Sequence, residues 1–173
     1  GLLEKDEIKP QHDIFYRYTS AANWFCTKLN ISLCLNNESF FIKESNYIKN
    51  LKYHIAKSTK KHSGLCYRGA NLSYIELALW QEKKVFFIPS FFSTSISPNS
   101  AFNRNTTLII DTSQFPNFNH LIQDSETLYK EEKECLLSCY NVFKFDSISF
   151  ENNKAVVKLT VLNYYENTET SDD

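Results

Sequence analysis

Glu131-Glu132-Lys133-Glu134-Cys135-Leu136-Leu137 runs from charged into apolar residues without a break. A charge run is ordinarily a solvated face. Here the apolar residues begin immediately after Glu134, so Glu134 opens a buried strand. Side chains two apart on a strand face the same side, which puts Glu132 and Glu134 together at the strand's mouth. A carboxylate pair in that position is a stronger catalytic candidate than charges in a loop.

Outward from this stretch, β-branched and aromatic runs at 91–96, 106–110, 133–137, 141–150 and 155–162 are bounded by Pro, Asn, Ser and Asp and predict strands. The second half is therefore mostly sheet. The first half is helical. Tyr18, Ala21, Ala22, Phe25 and Leu29 predict one helix over 16–30. Ser45 ahead of Ile48, Leu51 and Ile55 predicts a capped second helix ending before the basic run 57–61, which reads as a solvated loop. Leu65-Cys66-Tyr67-Arg68 predicts a short strand halted at Gly69, and Ser73 with Glu76 forms a capping-box pattern ahead of Leu77. Residues 112–130 are polar, interrupted by Pro116 and long for an ordinary connection, so they read as a functional loop. With neither repeats nor a linker, the chain is expected to be a single α+β domain over 16–165, with helices first and a mixed, mainly antiparallel two-sheet core after. Residues 1–15 read as an extension and 166–173 as a frayed acidic tail.

Composition removes several function classes. Apolar residues make up 42% and aromatics 15%, which excludes disorder of the whole chain. The glycines are Gly1, Gly64 and Gly69 alone, so neither a GxGxxG dinucleotide fingerprint nor a GxxxxGK[ST] phosphate loop can be written. Net charge is −1 with the basic residues dispersed, giving no bulk electrostatic case for nucleic acid or anionic membrane. No apolar stretch approaches a membrane span, and the first residues lack the pattern of a signal peptide. The sequence contains no Met, so the chain reads as a processed or excised domain and its location is left open. Cys26, Cys34, Cys66, Cys135 and Cys139 show no metal-ligand spacing, so no metal is expected and their redox state stays open. Sequons at Asn30, Asn37, Asn71 and Asn105 are expected by chance in so Asn-, Ser- and Thr-rich a chain. His12, His54, His62 and His120 lie in no nucleophile-elbow setting, which argues against a Ser or Cys hydrolase.

Two further segments carry chemistry. Arg68 ends an apolar strand directly before Gly69, so it is either a structural ion pair or an anion clamp. A guanidinium can grip a diphosphate bidentately while glycine lets backbone approach the ligand. Ser93 and Ser95, flanking Thr94 after Phe91-Phe92, face one side of a predicted strand.

In this order and spacing, Tyr67-Arg68-Gly69, Phe92-Ser93-Thr94-Ser95 and Glu132-Lys133-Glu134 resemble the Arg / Ser-Thr-Ser / Glu-x-Glu signature of arginine-specific mono-ADP-ribosyltransferases, a family of vertebrate ecto-enzymes and bacterial toxins. Tyr18-Thr19-Ser20, Leu29-Asn30, Ala101-Phe102 and Asn141-Val142-Phe143-Lys144-Phe145 extend the resemblance over about Tyr16 to Leu162.

The resemblance implies an NAD cleft between the sheets and a reaction that moves ADP-ribose from NAD, a substrate, to an arginine of a target protein. It implies that Glu134 holds the 2′-hydroxyl of the nicotinamide ribose and faces the reacting carbon. Ser93 would orient Glu134, with Ser95 contributing less. Arg68 would neutralise the diphosphate, the Gly69 backbone would meet the carboxamide, and Phe102 would pack on nicotinamide. Glu132 would serve the acceptor arginine, and Tyr129 is the candidate aromatic for target choice. An NAD glycohydrolase and a catalytically inert NAD-binding or interaction module of the same fold remain alternatives. The expected partners are NAD and a protein with an exposed arginine, not nucleic acid, and the chain is expected to be a monomer.

Overall fold

The computed structural model describes residues 11–20, 25–99 and 101–163, with Phe102 placed by its backbone alone. The helices come first: α1 (Gln11–Thr19), α2 (Phe25–Leu35) and α3 (Glu38–Lys57). The single helix expected over 16–30 is thus two, and Ala21 and Ala22 lie outside the described residues. Helix α1 buries Ile14 and Phe15, so the boundary expected between residues 15 and 16 falls inside a packed helix. Helix α3 begins well before Ser45, because the Asn37 side chain accepts from the Phe40 amide at 3.1 Å and caps it. The acidic tail 166–173 lies outside the described residues.

The remaining elements are β1 (Leu65–Ala70), α4 (Tyr74–Lys83), β2 (Val85–Ile88), β3 (Phe92–Ser95), β4 (Thr106–Asp111), β5 (Asn119–Leu121), β6 (Glu134–Leu137), β7 (Asn141–Glu151) and β8 (Lys154–Leu162). All five predicted strand runs form. β1 continues through Gly69 rather than stopping there, while β2 and β5 are additions. At α4 the capping box is complete, with Ser73 and Glu76 exchanging hydrogen bonds of 2.7 and 3.2 Å.

The strands join in the order β2-β7-β8-β4-β1-β3-β6-β5. Every neighbouring pair is antiparallel except β4 with β8. Where two sheets were expected, the strands form one sheet, but its halves meet through the single pair Tyr67↔Ser95 between β1 and β3. The candidate residues Arg68, Ser93 and Glu134 lie on the strands at this narrow junction. It is a mixed α+β architecture in which helices α1 to α3 cover the β6 side.

Strand β6 is buried on both faces, which explains its unbroken apolar run. Leu136 packs with Phe15, Leu29, Leu51 and Ile55 of the helices. Cys135 and Leu137 pack with Phe92, Leu108, Phe143 and Val157 on the opposite face. By strand alternation, Glu134 shares the helix-facing side with Leu136.

The segment expected to be a loop over 112–130 is pinned. β5 pairs with β6, and His120 and Glu126 are buried within it. The basic run before β1 is not fully solvated either: Ser58 is buried, and Lys61 donates to the Asn117 carbonyl at 2.7 Å and to that of Ile55 at the end of α3. Among the described residues, no helix is long and apolar enough to cross a membrane.

Candidate active site

Arg68 reaches the site because β1 and β3 part beyond their single bridge. Continued, the ladder Tyr67↔Ser95 would set Gly69 against Ser93. Instead the Arg68 Nη1 donates to the Ser93 carbonyl at 2.9 Å, and the guanidinium lies over the Phe92 ring at 4.4 Å. Among the described residues, Arg68 has no salt-bridge partner, so the ion-pair reading of this residue does not describe it. Burial pulls its pKa downward as the largest effect.

Gly69 is held to glycine by a neighbour. A Cβ there would come 2.7 Å from the Ala101 carbonyl oxygen, which also accepts from the Thr107 hydroxyl at 3.1 Å. The 3-10 turn Ala101–Asn103 therefore sits directly against β1. Phe102 belongs to that turn, and its side chain lies outside the described residues.

Across the junction, β3 and β6 align Ser93 with Leu136 and Ser95 with Glu134, so both serines share Glu134's side of the sheet. Thr94 points the other way, with its hydroxyl on the Cys135 carbonyl at 2.7 Å. Glu132 is not on the strand, contrary to the spacing argument. It ends a 3-10 turn, Lys130–Glu132, and Lys133 follows in the left-handed region at φ 43°. The turn is fastened by Ser95, whose hydroxyl donates to the Glu132 carbonyl at 2.6 Å, and by the Ile96 amide on the Lys133 carbonyl at 3.1 Å. The two carboxylates remain close enough to repel: Glu132 raises the pKa of Glu134.

Glu134 is 8% exposed, and its pKa rises from 4.5 to about 7, chiefly because burial disfavours the charge. The Ser93 hydroxyl and Arg68 pull it back down. Burial and the neighbouring Glu131 also raise the pKa of the more exposed Glu132.

Arg68, Gly69, Ser93, Thr94, Ser95, Tyr67, Ala101 and Glu132 line a cavity of about 200 Å³. A second cavity of about 200 Å³ is lined by Glu134, Ile122, Tyr129 and Lys133 among others. The sequence-derived residues Arg68, Gly69, Ser93, Glu132 and Glu134 thus come to one junction from β1, β3, β6 and the turn before it.

Two helical residues complete this junction. The Tyr18 hydroxyl of α1 accepts from the Asn30 amide of α2 at 2.9 Å, and its ring meets Phe91 edge-on. Burial pushes the Tyr18 pKa up, with Glu134 adding to the rise and Arg68 opposing it. The sequence shows Tyr18 at an apolar helical position; the available signal is that a buried tyrosine hydroxyl needs a partner. Buried side-chain polar atoms without a hydrogen-bond partner among the described residues are Asn30 Oδ1, Arg68 Nε and Glu134 Oε2. Buried polar atoms are rarely left unpaired, and each such atom costs roughly 1–3 kcal/mol. All three belong to this cluster around Tyr18. A guanidinium N–H donates to a phosphate oxygen, and amide and carboxylate oxygens accept from hydroxyls.

No family model matches the sequence, and no curated protein matches it. Solved structures do match. The ADP-ribosyltransferase Vis of Vibrio splendidus superposes with a TM-score of 0.71 at 18% identity, covering 91% of this chain and 75% of that one. The C3 exoenzyme of Clostridium limosum gives a TM-score of 0.70 at 14% identity, covering 92% and 88%. C3stau2 from S. aureus, solved with NAD, gives 0.65 at 18% identity, covering 88% and 86%. The chain has the ADP-ribosyltransferase fold.

Proposed function

We propose that this protein is an NAD-dependent mono-ADP-ribosyltransferase that moves ADP-ribose to an arginine of a protein acceptor and releases nicotinamide. Supporting the reading are the buried, unpartnered Arg68 Nε and Glu134 Oε2, with Asn30 linked to them through Tyr18, in the same fold as a structure solved with NAD. Gly69 and the turn bearing Phe102 border the cavity in which nicotinamide would sit.

The chemistry suits these residues. Nicotinamide in NAD is a cationic pyridinium and departs as a neutral amine, so no general acid is needed, unlike the sugar leaving group of a glycosidase. The bond from the ribose C1′ to the pyridinium nitrogen breaks, and its electron pair stays on nicotinamide. Glu134, ionised, holds the 2′-hydroxyl and faces the positive charge that grows on C1′, an interaction strongest in the transition state. Ser93 orients that carboxylate, and Arg68 meets the diphosphate with the N–H groups that Ser93 does not use.

An arginine acceptor is protonated at neutral pH and has no free lone pair. Glu132 takes a guanidinium proton as a guanidine nitrogen bonds to C1′. Its raised pKa makes it a better base than an ordinary surface glutamate. The choice of arginine rests on Glu132. Incubation with labelled NAD, with and without agmatine, tests the reading. ADP-ribosyl-agmatine supports it. Free ADP-ribose alone makes the protein a glycohydrolase, and no turnover makes it a binding module.

A further inference from the structure

Between β5 and β6, residues 122–133 supply much of the lining of the cavity that Glu134 also lines. At the far end the segment is fastened by Ser95 on the Glu132 carbonyl. Its other fastening is Glu126, 3% exposed and tied to β5, to α1 and to the start of its own segment. Its Oε1 accepts from His120 Nε2 of β5 and from the Gln123 amide, both at 2.8 Å. Its Oε2 accepts from Gln11 of α1 at 3.2 Å, and its carbonyl from the Thr19 hydroxyl of α1 at 2.8 Å. His120 is fully buried, stacked on Phe15 at 3.9 Å, with its Nδ1 2.5 Å from the Ser58 hydroxyl.

Ser58, His120 and Glu126 follow one another in the hydrogen-bond order of a hydrolytic triad, yet they are not one. All three are buried, and Ser58 Oγ also accepts from the Lys60 amide at 3.0 Å, so no substrate reaches it. As a contribution to stability alone the pair is a poor choice, since burying two ionisable groups costs about as much as their attraction returns, and an apolar core of the same volume does as well. What such a network supplies is a fixed position. Between its two fastenings, residues 127–131 make the short-range bonds of the Tyr129 amide to the Thr127 hydroxyl, the Glu132 amide to the Tyr129 carbonyl and the Lys133 amide to the Lys130 carbonyl at 3.3 Å. They nevertheless hold Leu128 62% and Tyr129 37% exposed beside the carboxylate that would serve the acceptor.

We infer that the buried Glu126–His120 pair is a positioning device for the acceptor: it fixes segment 127–131, with Leu128 and Tyr129 outward, so that a protein acceptor meets an apolar patch as its arginine reaches Glu132. The inference rests on the proposed transferase reading. It assigns Glu126 no part in NAD cleavage.

The test is Glu126→Gln, which keeps the shape and removes the charge. Transfer from NAD to a peptide acceptor carrying one arginine flanked by leucines should fall about 10- to 100-fold, the cost of displacing a positioned group by roughly an ångström, while nicotinamide release in water stays within about twofold. Amide hydrogen exchange at 127–131 should quicken, with 134–137 unchanged. If the variant does not fold, Thr19→Val, which removes only the donor to the Glu126 carbonyl, carries the same two measurements with a smaller split. Equal loss of transfer and hydrolysis, or unchanged exchange at 127–131, overturns the inference. Absence of all turnover in the parent protein would instead sink the transferase reading, leaving the exchange measurement to decide the role of Glu126.

Discussion

Ser95 donates its hydroxyl to the backbone carbonyl of Glu132 at 2.6 Å, while Ser93, two residues earlier on the same face of β3, acts on the carboxylate of Glu134. The Ser95 hydroxyl thus fastens a turn, while Ser93 lowers the pKa of Glu134. The sequence suggests that Ser95 matters less than Ser93; the structure gives it a separate task. Ser95→Ala should lower transfer to agmatine about 3- to 10-fold, the equivalent of one neutral hydrogen bond, and spare NAD hydrolysis. Ser93→Ala should lower both reactions, and by more, because a hydrogen bond to a charged group is worth about 1.5–3 kcal/mol. Steady-state rates of both reactions, measured on variants of matched thermal stability, check this; identical profiles for the two serines would contradict it.

Glu134 carries a cost in stability. Its pKa in the folded protein is about 7 against an ordinary 4.5, so the folded chain holds this proton more tightly than the unfolded one. The resulting stabilisation is complete below pH 4.5 and is lost as pH rises through about 7. Glu134→Gln stays neutral throughout, so its Tm relative to the parent should climb over that interval and level off above it. Over the same range the parent's kcat/KM for NAD cleavage should rise with a midpoint near 7, because the carboxylate is the active form. Thermal melts across pH decide the first point; a Tm difference that does not change with pH would contradict the buried charge.

Arg68→Lys should weaken NAD binding although the charge is kept. The guanidinium lies over Phe92 and donates to the Ser93 carbonyl while its Nε stays unpartnered, so it can hold its own position and still grip a ligand. An ammonium has no planar fork for this double duty. Calorimetric titration should show affinity lowered about tenfold or more, in line with the 1.5–3 kcal/mol of a hydrogen bond to a charged group. Unchanged affinity would remove Arg68 from the NAD site.

What was legible in the sequence was what local pattern encodes. The strands over 141–151 and 154–162 announce themselves by long β-branched and aromatic runs, and the Ser73 capping box by a fixed spacing. β5 was hidden because its central residue, His120, looks like a surface residue and is buried only through a partner six residues on. Helix α3 starts at Asn37 rather than Ser45 because both residue types cap equally well, and only tertiary packing selects between them. Strand spacing cannot describe Glu132, since a left-handed Lys133 breaks the alternation and cannot be read from a lysine. Tyr18 and Asn30 sit in helical patterns that describe their neighbours' burial and conceal their own polar contact. Arg68, Ser93 and Glu134 stand out as candidates because polar residues inside apolar strands conflict with their local pattern, and such conflicts concentrate at functional sites.

In the proposed mechanism two carboxylates separated by one residue do different work, one on NAD and one on the acceptor. Nicotinamide release and ADP-ribosyl-agmatine formation, measured side by side for the parent, Glu132→Gln and Glu134→Gln, test it most directly. Glu134→Gln should lower both by roughly 10²–10³-fold, as deletion of one preorganised electrostatic contact does. Glu132→Gln should abolish transfer and leave hydrolysis measurable, because water needs no guanidinium deprotonated. If Glu132→Gln destroys hydrolysis as completely as transfer in a folded protein that still binds NAD, the division of labour between Glu132 and Glu134 is wrong.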